Sequence, residues 1–328
     1  MKVLFIGGTG VISAASAALA IERGIELHLF NRGESARAVP DGARVIRGDI
    51  RDPAAARAAL DGLEFDAVVD WIAYRPEHVE ADLELFRGRA GQFVFISSAS
   101  AYQTPPASLP VTESTVLANP FWQYSRDKIA CEERLVKAYR EEGFPITIVR
   151  PSHTYDQTML PLKGRYTMID RMRRGKKVIV HGDGTSLWTL THTRDFAKGF
   201  VGLLGNSRAV GEAFQITSDE ALTWNRIYEL AAQAAGAAAE IVHIPSATLA
   251  RYDPEWGAEL FGDKAHSMIF DNTKIKRLVP DFAATTPFSH GIREIVAWHD
   301  ADPARRVVDE RLDSLMDRII ADWERIFP

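Results

Sequence analysis

The chain has 328 residues, 46% hydrophobic and 25% charged, an ordinary globular composition that is too long for one small core and suits a large domain with a smaller companion. A net charge of −5 with no block of Lys or Arg argues against nucleic acid as a partner. A single cysteine, Cys131, excludes an internal disulfide and suggests plain packing, and no apolar run reaches the ~18 residues that a bilayer span requires.

The first apolar run, Val3–Ile6, is too short for a signal peptide and flows into a glycine turn, so the expectation is a soluble cytoplasmic protein with no membrane partner. Gly7-Gly8-Thr9-Gly10-Val11-Ile12-Ser13 follows this strand and opens a predicted helix, Val11–Arg23. In that setting a glycine turn takes a pyrophosphate. Gly7 permits the tight exit, Gly10 lets the backbone approach the anion, and the helix N-terminus offers free N–H groups and a positive dipole end. Ser13 stands where a third glycine would let helix and strand pack closely, and its small side chain predicts a slight shift without loss of binding. The second strand, Glu26–Phe30, runs into Asn31-Arg32-Gly33 with no carboxylate to hold ribose hydroxyls. Arg32, with Arg37 close behind, suits a 2′-phosphate or the face of adenine, so NADP is favoured over NAD as cofactor; solvated surface arginines are the alternative.

Further runs at Arg44–Arg47, Ala67–Asp70, Phe93–Ile96 and Ile146–Val149 are near-continuously apolar, as strands covered on both faces are. They alternate with helical stretches such as Pro53–Leu60 and Tyr124–Glu142. This predicts an α/β fold, a doubly wound parallel sheet of the Rossmann type over residues 1–150. After Pro151 the alternation loosens. Residues 151–302 are expected to form a smaller C-terminal substrate lobe, with segments near 182–217 returning to the first domain. Residues 303–328 form a last unit. Pro303–Phe327 predicts one amphipathic helix, with Val308, Leu312, Leu315, Met316, Ile319, Trp323 and Phe327 on one stripe, packed on its own domain or on another subunit.

Within the Tyr124–Glu142 stretch, Tyr124 and Lys128 are four residues apart and share one helix face. A free phenol has a pKa near ~10, and a fixed cation beside it lowers that value toward the range of a working base. The pair alone arises often by chance; its place after the fifth strand, in a chain that opens on a glycine turn, gives it weight. The helix continues through Ile129, Leu135, Val136 and Tyr139, a face that predicts a homo-oligomer or intrachain packing. No histidines show metal-ligand spacing.

With Gly7–Ser13 and Tyr124–Lys128, the segments Gly48-Asp49-Ile50, Ser97-Ser98-Ala99-Ser100-Ala101-Tyr102, Arg150-Pro151 and Gly182-Asp183-Gly184-Thr185 complete a pattern. Over roughly residues 1–300 the chain resembles the extended short-chain dehydrogenase/reductases, the sugar epimerase/dehydratase group. The resemblance implies that Gly7, Thr9, Gly10, Val11, Ile12, Asn31 and Arg32 line the dinucleotide and that Asp49 and Ile50 touch adenine. Ala73, Lys128, Pro151 and His153 would lie by the nicotinamide end. Ser98, Tyr124 and Lys128 would be the catalytic set, and Ser98, Ser100, Tyr124, His153 and Trp188 would meet the substrate. Three departures stand out: the fourth strand runs Val69-Asp70-Trp71-Ile72-Ala73-Tyr74, Ala99-Ser100 replaces the Asp-Glu of the dehydratases, and Trp188 replaces the arginine that binds a nucleotide diphosphate. The implied function is redox chemistry or epimerisation at a hydroxyl-bearing carbon of a polyhydroxylated, sugar-like molecule without a nucleotide diphosphate. The alternative is a non-catalytic dinucleotide-responsive or RNA-binding protein, since the chain also resembles atypical members related to chloroplast stem-loop RNA-binding proteins.

Overall fold

The computed structural model describes residues 1–327; Pro328, the last residue of the expected C-terminal unit, lies outside the described residues. The first half runs β1 (Lys2–Ile6), α1 (Val11–Glu22), β2 (Glu26–Asn31), β3 (Arg44–Arg47), α2 (Pro53–Ala59), β4 (Ala67–Asp70), α3 (Pro76–Phe86), β5 (Phe93–Ile96), α4 (Gln123–Glu142) and β6 (Ile146–Pro151). The second half runs β7 (His153–Tyr155), α5 (Tyr166–Arg173), β8 (Val178–His181), β9 (Leu187–Trp188), β10 (Leu190–His192), α6 (Thr193–Val201), β11 (Ala213–Ile216), β12 (Leu222–Thr223), α7 (Trp224–Ala235) and β13 (Ile241–Ile244). It closes with α8 (Ser246–Tyr252), α9 (Pro254–Glu259), α10 (Thr273–Leu278), α11 (Phe288–Asp300) and α12 (Glu310–Ile326).

Seven strands form one parallel sheet in the order β11-β6-β5-β4-β1-β2-β3. This is the doubly wound arrangement expected from the apolar runs. Its order reverses between β1 and β4, where Ile6 pairs with Asp70, and the crevice beyond those carboxyl ends is where such sheets take ligands. On one face α1 packs against α6. Ser13, Ser16, Ala17 and Ala20 recur at helical spacing on α1, and their small side chains admit the close approach. On the other face Leu83 and Phe86 of α3 meet Cys131, Leu135 and Ala138 of α4. Leu135, on the face expected to pack against another subunit or within the chain, is spent on the chain's own core, while Tyr139 remains exposed.

The returning part is broader than residues 182–217. Besides α6 and β11, Ile275 of α10, Val279 and Phe282 close over the same sheet face. The remaining lobe is built on three two-stranded pairs, β7 with β10, β8 with β13 and β9 with β12, around a core that includes Met168, Trp188, Trp224 and Ile295.

The C-terminal segment corrects the reading of one helix from Pro303. Residues Pro303–Arg305 make a separate 3₁₀ turn, and α12 starts at Glu310, where the Asp309 side chain accepts the N–H of Leu312 at 2.9 Å. The aspartate offered a better helix start than the proline six positions earlier. Leu312, Met316 and Ile319 bury against the lobe, while Phe327 stays exposed. The anchor is electrostatic. Arg171 of α5, 1% exposed, binds Asp313, donates to its main-chain oxygen at 3.0 Å and reaches Asp317 at 2.8 Å. Burial would raise the Asp313 carboxyl, but Lys176, Arg171 and Arg174 outweigh it and hold it at about 2.

Arg171→Ala removes the one buried cation of the three on Asp313, together with the donors to the Lys177 and Asp313 carbonyls, and should cost about 3 kcal/mol of stability, read by urea denaturation. A change below about 1 kcal/mol would mean that α12 docks through its apolar stripe alone. The sign of the pH effect follows: this stabilisation is complete above the ordinary aspartate value of 3.8 and fades as the pH falls through about 2.

Candidate functional site

Two clefts open along the carboxyl ends of the sheet. One, of about 530 Å³, is lined by the glycine turn, Ser98, Tyr124, Lys128 and Trp188. The other, of about 560 Å³, is lined by Asn31, Arg32, Asp49 and Ile50. They share Gly7, Thr9, Ile72 and Tyr74, so they form one trough with the glycine turn at its waist.

At that waist Gly7 and Gly8 adopt φ of 99° and 90°, which side-chain-bearing residues rarely adopt, and they turn the chain from β1 into α1. Ser13 does more than fill space. Its Oγ accepts the N–H of Gly10 at 2.8 Å, leaving the first-turn amides of Val11 and Ile12 without an intrahelical acceptor. Two connected chambers with free amides between them suit a molecule of two nucleotides joined by a pyrophosphate. Pro151 and His153 line the first chamber, as the resemblance implied. Ala73 does not line it. Its methyl is buried, and its carbonyl accepts Lys128 Nζ at 2.7 Å.

At the far end of the second chamber Arg32 is exposed and paired with Glu34 at 3.0 Å. The Asn31 side chain donates to the Gly7 carbonyl at 3.5 Å and accepts from Arg47 at 3.3 Å. Arg37 is turned elsewhere: it bonds Asp156 at 2.5 Å and Thr158, because the mostly buried Asp156 carboxylate draws the nearest cation.

Tyr124 and Lys128 occupy the first two turns of α4 and both line the first chamber. Lys128 is 2% exposed, and its ammonium is held by the carbonyls of Ala73 and Ile96, each at 2.7 Å. It lies 4.7 Å from the Tyr74 ring centre and 5.9 Å from that of Tyr124. Burial pushes its pKa down to about 8, against the opposing pull of Cys131, Asp70 and Glu132. Tyr124 departs from the sequence expectation. Burial, reinforced by Tyr74 and Asp263, raises its phenol above the ordinary tyrosine value, and the Ser98 hydroxyl, which bonds it, only moderates the rise. Desolvation decides the direction, and Lys128 Nζ stands 5.9 Å from the Tyr124 ring centre. Ser98 is also bonded to Ser100 at 2.9 Å, and Ser100 to Ser125 at 2.8 Å, so Ser100 supports Ser98 from behind.

Trp188 is 2% exposed, stacked on Trp224 with ring centres 6.1 Å apart, and belongs to the lobe core, yet it borders the first chamber. Its indole N–H has no acceptor among the described residues. Arg194 starts α6 and pairs with Glu294 at 2.7 Å, so it does not take the place of the missing arginine. His153 joins the first chamber to an inner one of about 210 Å³, walled by His181, Trp224, Tyr228 and Trp256. Burial, with the Lys264 charge, lowers His153 to about 3 and keeps it neutral.

The lining also includes residues that the sequence analysis did not assign to the site, among them Tyr74, Trp122, Asp263 and Lys264. Tyr74 closes the unusual fourth-strand segment and Trp122 lies two residues before Tyr124, so both were within reach of a local argument. Asp263 and Lys264 come from a π-helical turn, Leu260–Lys264, that carries no motif. The Lys264 carbonyl accepts from His181, Trp224 and Ser186 at 3.0, 3.1 and 3.3 Å, which fixes the turn. Lys264 Nζ pairs with Asp263 at 3.2 Å, and burial raises the Asp263 carboxyl. A carboxyl and an ammonium side by side can accept from and donate to neighbouring hydroxyls.

The model of the NAD dependent epimerase/dehydratase family matches residues 3–217. The 2'-dehydrokanamycin reductase of Streptomyces kanamyceticus is 26% identical over 91% of this chain and 84% of its own length. The chloroplast stem-loop binding protein of 41 kDa b of Arabidopsis thaliana is 27% identical over 74% of this chain and 65% of its own. The fold is similar to that of UDP-glucuronic acid 4-epimerase from Bacillus cereus, with a TM-score of 0.73 and 19% identity over 92% of this chain and 99% of that one.

The Lys128 site makes a signed prediction. The folded chain releases this proton near pH 8, whereas an ordinary lysine keeps it to about 10.5. Between those values the unfolded state binds more protons, so the contribution of this group to stability rises with pH. The melting temperature of the parent relative to Lys128→Met should therefore climb across that window in differential scanning fluorimetry. A difference that does not change with pH would mean that the ammonium is solvated.

Proposed function

The chain belongs to the NAD dependent epimerase/dehydratase family, and from that premise we propose that it reduces a ketone on a polyhydroxylated, ring-bearing substrate without a nucleotide diphosphate, using NADPH. The observation that carries this reading is the meeting of Tyr124, Ser98 and Lys128 with the glycine turn in one chamber. Val11 and Ile12 amides would hold the pyrophosphate, Asp49 and Ile50 the adenine, and Lys128 the nicotinamide ribose. When bound, the dinucleotide supplies hydride chemistry at the nicotinamide ring. The chain's own part is the proton. A phenol held protonated by burial suits the reducing direction, in which Tyr124 gives its proton to the substrate oxygen while Ser98 donates to the same oxygen. The reductase name of the kanamycin relative supports the same direction.

Epimerisation would use the same residues but retain the dinucleotide, so release of oxidised cofactor separates the two. The stem-loop binding relative raises RNA binding, but a net charge of −5 gives it no support.

For the substrate, the first chamber contains two cations, Lys128 and Lys264, and no arginine. Lys128 is taken up by two main-chain carbonyls and Lys264 by Asp263, so a diphosphate brought there would meet no uncommitted cation among the described residues. The Asp263–Lys264 pair suits hydroxyls instead, and the aromatic inner chamber suits a second ring. For the cofactor, a carboxylate is absent at Asn31, and Arg32 is free to exchange Glu34 for a 2′-phosphate.

Tyr124→Phe should keep the fold and dinucleotide affinity but lose about 10²–10⁴ in turnover, measured with keto glycosides, keto polyols and nucleotide-linked keto sugars side by side. Near-parental turnover would remove Tyr124 from the proton step, and turnover of the nucleotide-linked sugars alone would contradict the substrate class. Calorimetry should give NADPH about tenfold or more tighter than NADH, a preference abolished by Arg32→Ala and widened by Glu34→Gln. Equal affinities in the parent would mean that Arg32 stays with Glu34.

A further inference from the structure

Two carboxyl groups lie behind the cofactor trough, and among the described residues no basic side chain is bonded to either. Asp70 ends β4 and Asp82 sits within α3, and both are wholly buried. Asp70 Oδ1 accepts the main-chain N–H of Ile72 at 2.6 Å and of Ala73 at 2.9 Å. Its Oδ2 and both oxygens of Asp82 have no donor among the described residues, and the two carboxyl groups lie side by side. Two ionised carboxylates in contact and out of water repel one another and lack hydration; both penalties vanish for one of the two charges if one group keeps its proton.

We propose that Asp70 and Asp82 hold a single proton between them, with Asp82 donating to Asp70 Oδ2, and that this pair is the positioning element and counter-charge of Lys128. The linkage runs through bonds already described. Asp82 orients Asp70, Asp70 grips the amides of Ile72 and Ala73, and the Ala73 carbonyl takes Lys128 Nζ at 2.7 Å. The one negative charge left on the pair acts on Lys128 and favours its ammonium form. Burial, together with the Asp70 charge, pushes the Asp82 carboxyl well above the ordinary carboxylate range. The charged and titratable groups facing the pair are Arg51 from the loop after β3, Tyr74 and His78 around the start of α3, and Lys128 from α4. Arg51 is bonded to the Ile72 carbonyl, and His78 Nδ1 accepts the Tyr74 N–H at 3.1 Å, so neither supplies a donor to the carboxyls. Neither aspartate borders the trough, so both act on the cofactor through Lys128, whatever ketone the chamber takes.

The test has two arms on the full chain. Difference infrared spectroscopy of the parent against Asp82→Asn, at neutral pH and without ligand, reads the carbonyl stretch of a protonated carboxylic acid. That band is expected in the parent and lost in Asp82→Asn, whose amide still donates to Asp70 and keeps NADPH affinity within about twofold. Asp70→Asn removes the counter-charge, and the alkaline pH above which NADPH and NADH affinity falls should drop by about one unit, whereas Asp82→Asn leaves it in place. A parent without the acid band, or a folded Asp70→Asn with an unmoved alkaline limit, overturns the proposal. If Asp70→Asn does not fold, the infrared band decides.

Discussion

The site is organised around one ammonium that has been taken out of water. Lys128 is held by two main-chain carbonyls at 2.7 Å, one from the segment after β4 and one from the end of β5. Desolvating a cation is costly, and dipoles fixed by a sheet repay part of that cost only if the strands cannot move. The parallel order of β4, β5 and β1, with every inner strand buried on both faces, supplies that rigidity. Because one carbonyl ends β5 and the other lies just beyond β4, the charge lies at the crevice, where the glycine turn also opens.

The two lobes divide the chemistry. In the proposed function, the sheet half supplies free amides, Lys128 and a second strand that ends without a carboxylate for the dinucleotide, and Tyr124 with Ser98 for the reacting oxygen. The second lobe supplies the Asp263–Lys264 pair and the aromatic inner chamber for the rest of the substrate. His153, at the start of β7, belongs to the junction between them. Its neutrality matters there, since a third cation beside Lys128 and Lys264 would make the chamber attractive to anions in general.

The sheet half was legible because its signals are local. Near-continuous apolar runs mark strands covered on both faces, and Val3–Ile6 followed by Gly7–Ser13 marks strand, turn and helix within a dozen residues. Tyr124 and Lys128 needed only helical spacing to share a cavity. The second lobe was less legible because its signals are distant in sequence. The return of Ile275 and Phe282 to the sheet, and of Lys264 to Tyr124, depends on packing that no short window contains. The C-terminal stripe suggested one helix, but apolar spacing does not locate a helix start; Asp309 does. Arg37 shows a different limit. Its proximity to the second strand suggested a phosphate contact, whereas the buried charge of Asp156, far along the chain, claimed it. The tyrosine pKa was misjudged for a similar reason: helical spacing gives the neighbour, but only the fold gives the depth at which both are buried.

The proposed function depends on Lys128 being desolvated and yet charged when a dinucleotide arrives. The direct measurement is a titration of its side-chain nitrogen by NMR, in protein carrying isotope-labelled lysine and assigned with Lys128→Met. The account predicts a pKa of about 8 in the free protein and a rise when NADPH binds. A value at the ordinary 10.5, unchanged by the dinucleotide, would contradict it.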